Sequence, residues 1–210
     1  PGNWSGTLVN ALLFYCDGLK KEFSKEPIRP GIIHRLDKET SGLIIAAKTT
    51  WVHQQLVEMF AKRQVVKEYI AVCVGNPGRA VINAPIGRDP INRKRMAVVL
   101  NGKEAITEFE TVATDDAVSI VKILLKTGRT HQIRVHMQKR KTPVLGDSLY
   151  GSVSFNKKVK ATRQFLHAYK LSILHPVSKK VISFKAELPT DMLEWTRRLN
   201  CKLVQLDKSF

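Results

Sequence analysis

The sequence predicts a mixed α+β fold: an antiparallel-rich central sheet with flanking helices. Three observations carry that prediction. Runs with strand character outnumber runs with helical spacing, and the connections in the second half are of hairpin length. The chain also has 210 residues, 43% of them apolar and 25% charged. That length and balance suffice for a buried core and exclude a disordered chain.

Taken in order, Thr7–Tyr15 has helical spacing at Leu8, Leu12 and Tyr15, with Ser5 as a cap and Gly18 as a stop. Residues 20–31 are charged, carry proline and read as a loop. The turn-like HRLDKETSG follows and runs into an apolar stretch, LIIAAK (43–48), that reads as a buried strand. Thr50–Arg63 is an amphipathic helix with Val52, Leu56, Met59 and Phe60 on one face. Lys67–Val74 is a strand, and Arg79–Arg95, with Pro85, Gly87 and Pro90, is mostly loop. Strands are expected near 95–100, 104–112 and 118–126. Thr130 would cap a short helix, THQIRVHMQK, with Ile133 and Met137 one turn apart on its buried side. A turn-rich connection (141–151) leads to strands at Phe165–Ile173 and Lys180–Glu187, and Pro189 opens a helix to about Asn200. There is no internal repeat, low-complexity tract or linker, so residues 1–210 read as one domain.

Charge narrows the function. Lys and Arg total 35 against 18 Asp and Glu, a net charge of +17. Basic clusters recur, among them Lys20-Lys21, Arg93-Lys94-Arg95, Lys139-Arg140-Lys141 and Arg197-Arg198. Such a surplus points to a polyanionic partner, nucleic acid first and anionic membrane second. The membrane reading lacks a strongly amphipathic basic helix, and the longest apolar runs, such as Leu43–Ala47, fall far short of a bilayer span. Cys16, Cys73 and Cys201 are odd in number and far apart, with no CxxC pair, and read as core thiols of a reducing, cytoplasmic compartment. Pro1 in place of Met indicates a processed or trimmed start.

Metal and nucleotide motifs fail. The closest histidine pair, His131 and His136, is five apart, about 140° on a helix and opposite faces on a strand. No HExxH, Cys/His cluster, GxxxxGK[ST] or GxGxxG occurs. No cofactor and no metal are expected.

Two segments could carry chemistry. In Gly31-Ile-Ile-His34-Arg35-Leu36-Asp37-Lys38-Glu39-Thr40-Ser41-Gly42, Asp37 sits in a turn between cationic neighbours. By itself it is either a turn-capping carboxylate or a functional one. In Thr127-Gly128-Arg129-Thr130-His131-Gln132-Ile133-Arg134-Val135-His136, three donors useful for RNA gather at a turn-to-helix junction, though a basic helix face would look the same.

Together these segments resemble a known family. HRLDKETSGLIIAAKT, KEYIAVCVG, GRTHQIRVHM, TPVLGDSLYG, FLHAYKLSILHP and SFKAELPTDM, in this order and spacing, are similar to the sequence blocks of the RluA-type RNA pseudouridine synthases, and the ribosomal large-subunit branch fits best. The resemblance runs from Thr7 to about Met192. It departs at the start, where the family has a strand with a Lys-Pro-x-Gly segment and often an S4-like domain before it; the expectation is a catalytic domain without these two.

The resemblance implies the pseudouridine synthase catalytic fold and isomerisation of uridine to pseudouridine within RNA. The N1–C1′ bond breaks, the uracil turns, and C5 bonds to C1′, with no redox change. It assigns Asp37 as the catalytic carboxylate, either nucleophile or base on the sugar, and Arg134 as its guanidinium partner. Tyr69 would stack on the base and help remove the C5 proton, and Ile133 would pack on the uracil face. The target base must leave its stack, and Arg35 would enter the space it vacates. His34, Lys67, Arg129 and His131 become RNA contacts. The expected partner is ribosomal RNA, with transfer RNA as the nearest alternative, and the expected state is a monomer. An RNA-binding assembly factor that kept the fold without turnover is the rival from another class.

Overall fold

The computed structural model describes residues 5–25, 28–202 and 206–207. Pro1 and Gly2, read above as a trimmed end, lie outside them. The first helix, α1 (Leu8–Tyr15), is capped by Thr7 rather than Ser5. Thr7 Oγ1 accepts the Asn10 N–H and Asn10 Oδ1 accepts the Thr7 N–H, a reciprocal box that Ser5 stands too far back to form. Gly18 begins a one-turn helix, α2 (Leu19–Glu22), inside the stretch expected to start a loop. Buried Leu19 and Phe23 anchor that turn beneath its charged residues.

The apolar run 43–48 is not a strand. Only β1 (Ser41–Gly42) joins the sheet, parallel to β8 (Leu166–Leu174). After Leu43 N–H donates to Ala168 O, the chain turns back on its own upstream segment, where Ala47 N–H donates to Gly31 O and Ile32 bridges Ala46. The run is apolar because it lines that fold-back, not because it crosses a sheet. The helix α3 (Thr50–Ala61) buries Leu56 and half-buries Val52, Met59 and Phe60.

The long strands agree with the sequence: β2 (Val66–Val74), β5 (Met96–Val98), β6 (Ile106–Thr114), β7 (Val118–Leu125), β8 and β9 (Val181–Lys185). The stretch 79–95 was expected to be loop, yet it contains β3 (Arg79–Asn83) and β4 (Ile86–Arg88). β3 is an edge strand on β6, and β4 pairs only with β5, so neither needs a buried apolar run. The helices are α4 (Gln132–Lys139), α5 (Val153–Lys158), which lay unread in the sequence, and α6 (Thr190–Arg198), headed by Pro189 as expected.

These elements gather into two compact units. One comprises residues up to Arg35 with Ile44–Val65 and Ile173–Ile182; the other comprises Leu36–Leu43, Val66–Ser172 and Ser183 onward. The chain passes between them in five places, so no single linker marks the division. The second unit holds the sheet apart from the last two residues of β8 and the first two of β9; the strand order is β1-β8-β2-β7-β6-β3 with β9 also on β8. All its pairs with a given register are antiparallel except β1–β8.

Strand β7 is buried at all eight positions because both faces of the sheet are covered. On one face Ile70, Val72, Val118 and Ile120 pack with Met192 and Trp195 of α6. On the other, Ala71, Val121 and Ile123 pack with Ile133 and Met137 of α4. Lys122, the charged residue of β7, pairs with Glu68 at 3.3 Å. The β2–β8 register shifts between Glu68 and Tyr69. Such an irregularity re-aims the side chains beside it.

Gly42 closes β1 at φ +107°, and a Cβ there would overlap the Ala168 carbonyl oxygen and lie 2.6 Å from its nitrogen. Gly42→Ala should therefore cost about 1–3 kcal/mol in backbone strain alone and push β1 off β8. A thermal midpoint unchanged within about 1 °C would show that β1 does not hold this register.

Candidate active site

Asp37 lies in an irregular segment tied down on both sides. Its carbonyl accepts the Thr40 N–H at 2.9 Å. Beyond it, Thr40 Oγ1 accepts from Gln164 at 2.6 Å, Glu39 O accepts from Arg163, and Ser41 Oγ meets His167 Nδ1 at 2.9 Å. Residues 163–167, which lead into β8, thus hold the aspartate turn, and the Asp37 side chain stays 18% exposed.

Arg134 reaches Asp37 from α4. Its Nη1 donates to Asp37 Oδ2 at 2.9 Å. Its other edge is committed elsewhere: Nε and Nη2 donate to Asp147 Oδ2 and Oδ1 at 2.7 and 3.0 Å. Asp147 is fully buried, and its Oδ1 also accepts the Leu149 and Tyr150 N–H groups at 2.9 and 3.0 Å. Burial works against the Arg134 charge, but Asp147 and then Asp37 outweigh it and raise its pKa above the ordinary value. The guanidinium is a fixed cation, clamped in two-pronged geometry with one donor left for Asp37. The Tyr150 ring lies under it, 5.0 Å from centroid to Arg134 Cζ, and under Arg95 Cζ at 4.9 Å.

Around α4 the residues divide by task. Gln132 bonds Thr127 Oγ1, the Arg129 N–H, Ile106 O and Thr107 Oγ1, tying the turn to β6. His136 is wholly buried between Thr107 Oγ1 and Ala84 O, and burial lowers its pKa, keeping the ring neutral. The helix N-cap is His131, not Thr130, and its backbone is left-handed (φ 56°) with no side-chain cap. The His131 ring contacts Tyr150 Oη through Nδ1 at 2.8 Å, and its Nε2 lies 3.8 Å from Asp37 Oδ1.

Tyr69 lies half-buried on β2 beside the α4-facing core. Burial, and then the negative charge of Asp37, push its phenol up to about 12. At pH 7 a phenol with that pKa is ionised in about one molecule in 10⁵. Among the described residues no group of three or more His, Cys, Asp or Glu could hold a metal ion.

The family model for RNA pseudouridylate synthase matches residues 9–139, more than half the chain. The chain belongs to this family. Ribosomal large subunit pseudouridine synthase D of Zymomonas mobilis is 40% identical over 199 residues, covering 91% of this chain and 62% of the relative. The protein of the same name from Neisseria meningitidis serogroup A is 45% identical over 201 residues, covering 91% of this chain and 52% of the relative. The chain therefore spans little more than half the length of the curated relatives it matches. Among solved structures, human RNA pseudouridylate synthase domain containing 4 superposes with a TM-score of 0.67 at 26% identity, covering 88% of this chain and 81% of that one. The mixed sheet with flanking helices is thus the synthase fold.

Of the residues expected at a synthase site, Asp37, Tyr69, Arg134 and His131 come together in the sheet-bearing unit. The others have separate positions. Ile133 is a core residue, 4% exposed, on the buried side of α4 with Met137 as its spacing predicted. His34 accepts the Ile45 N–H on Nε2 at 2.9 Å and stacks on Phe60 at 4.9 Å, bracing its own segment. Arg129 donates through Nε to Glu104 O. Arg35 is exposed two residues before Asp37 in the chain, and Lys67 Nζ borders Gly128. Asp147 and Tyr150, both within TPVLGDSLYG, had no assigned role. The turn-rich composition of that segment hid a buried carboxylate, and only its following a basic, arginine-bearing helix hinted at a partner.

Proposed function

We propose that this chain isomerises uridine to pseudouridine in RNA, with large-subunit ribosomal RNA as substrate, in the cytoplasm. The observation that carries the reading is the linked ion pair Asp147–Arg134–Asp37. A buried carboxylate holds a guanidinium, which in turn presents a partly exposed carboxylate. A structural salt bridge would not need its outer member open to solvent. Family membership and the names of the relatives supply the reaction and the RNA class, and the +17 charge suits a polyanion.

In this reading Asp37 acts at the ribose, as nucleophile or as base, and Tyr69 lies along the base. The free protein opposes ionisation of Tyr69, partly through the charge on Asp37. Either route discharges Asp37, as an ester or as a protonated acid. That discharge is temporary: when C5 bonds to C1′ the ester is cleaved, or the proton is returned to the sugar, and Asp37 is a carboxylate again before the C5 proton leaves. Arg35 and Lys67 are the proposed RNA contacts. His34, Arg129 and Ile133 contribute by holding their segments.

The test is to incubate the protein with ribosomal and transfer RNA that lack pseudouridine and to map the positions changed. Modification of discrete large-subunit uridines is expected. Transfer RNA as the sole substrate would replace the RNA class, and binding without turnover would leave an assembly factor on this fold.

Binding should depend steeply on salt. About six neutralised phosphates give a log–log slope of roughly −4 to −5. Lys139 and Lys141 are exposed, whereas Arg140 is tied to Pro77 O at 3.1 Å. Neutralising the two lysines should flatten the slope by up to about two and weaken cognate and non-cognate RNA alike, because phosphate contacts position without specifying. A parent slope near zero would assign the basic surface another purpose.

A further inference from the structure

We infer that His131 is a positioning residue for Asp37, with Tyr150 fixing its tautomer, and is not an RNA contact. The inference rests on the synthase reading of Asp37. Tyr150 Oη accepts the Met96 N–H at 2.8 Å and lies 2.8 Å from His131 Nδ1. The hydroxyl has one hydrogen to place, and directing it at Nδ1 satisfies both atoms. Nδ1 is then an acceptor, so the ring proton sits on Nε2, the nitrogen that faces Asp37 Oδ1 at 3.8 Å. That span is ion-pair distance, longer than a hydrogen bond. Contacts of this kind are commonly long in the free enzyme and tighten when substrate binds. Asp37 is thereby addressed on both oxygens, by Arg134 on Oδ2 and by His131 on Oδ1.

Two further features support this. His131 adopts a left-handed backbone that glycine or asparagine would take with less strain, and it caps α4 without using its side chain. Its ring is spent on Tyr150 and Asp37, not on the helix. Tyr150 is 3% exposed and meets both donors to Asp37, the Arg134 guanidinium with its ring and His131 with its hydroxyl.

Three variants test this: His131→Leu, His131→Gln and Tyr150→Phe. Leucine and glutamine are both unbranched at Cβ and share any backbone penalty, so their difference reads the side-chain N–H. His131→Leu should lower single-turnover rate at least tenfold with RNA affinity within twofold of the parent. His131→Gln, which restores a donor at the Nε2 position, should recover most of the rate. Nitrogen NMR of the free, imidazole-labelled protein at pH 8 should show His131 protonated on Nε2 only, and Tyr150→Phe should release a proton onto Nδ1 in part of the population. A parent His131 carrying its proton on Nδ1 overturns the inference. So does a loss of RNA affinity that parallels the loss of rate, or a His131→Leu variant with parental rate. The NMR arm needs no turnover, so it judges the tautomer even if the synthase reading fails in the mapping assay.

Discussion

Asp37→Asn is expected to remove turnover while leaving the fold and RNA affinity nearly unchanged. The amide keeps the carboxylate's shape but has neither its charge nor its nucleophilicity. The side chain is partly exposed, and Arg134 retains its two bonds to Asp147, so no buried charge is stranded. A rate loss of at least about 10³, on the order of 4 kcal/mol in the barrier, is the expected size. It would be read as single-turnover modification of unmodified ribosomal RNA. Retention of more than about a tenth of the parental rate, a cost under roughly 1.4 kcal/mol, would remove Asp37 from the chemistry.

Arg134→Met should cost both activity and stability, and a second substitution separates the two. Methionine strands the fully buried Asp147 carboxylate with only the Leu149 and Tyr150 N–H groups. Breaking a buried ion pair from one side costs about 3–5 kcal/mol. For a chain of this size that is a fall of roughly 6–20 °C in thermal midpoint. Adding Asp147→Asn removes the stranded charge and keeps an acceptor for both N–H groups. The double variant should regain at least half of the lost stability and none of the turnover. A single variant that melts with the parent would mean that Arg134 and Asp147 are not mutually dependent. A double variant that regains turnover would exclude Arg134 from the site.

The sequence reading located most of the sheet and the paired Asp37 and Arg134, for different reasons. Strands β2, β6, β7 and β8 announce themselves through apolar, β-branched runs because both faces of the sheet are covered. β3 pairs at the sheet edge and β4 only with β5, so their sequences carry no such run. The stretch 43–48 misled for the converse reason, its apolar residues serving a fold-back instead of a ladder. Asp37 and Arg134 stand 97 positions apart, and no spacing rule links them. They were reached through motif resemblance. The resemblance singled out His131, as an RNA contact and not as a neighbour of Asp37, and gave no role to Gln132 and His136, which fasten α4. Asp147 was missed because a carboxylate in a turn-rich loop looks solvated until its arginine is known.

The five passages of the chain between its two units bear on how the protein is made. Residues 173–182 belong with the amino-terminal stretches, although most of the sheet-bearing unit is synthesised between them. A nascent chain that has emerged only as far as Ser172 holds two of the three pieces of the amino-terminal unit and must wait for the third. Domain-by-domain folding during synthesis, the usual safeguard of longer chains, is closed to it. The amino-terminal unit is therefore completed only after Val66–Ser172 has been made, which favours slow or chaperone-assisted maturation of an interleaved fold.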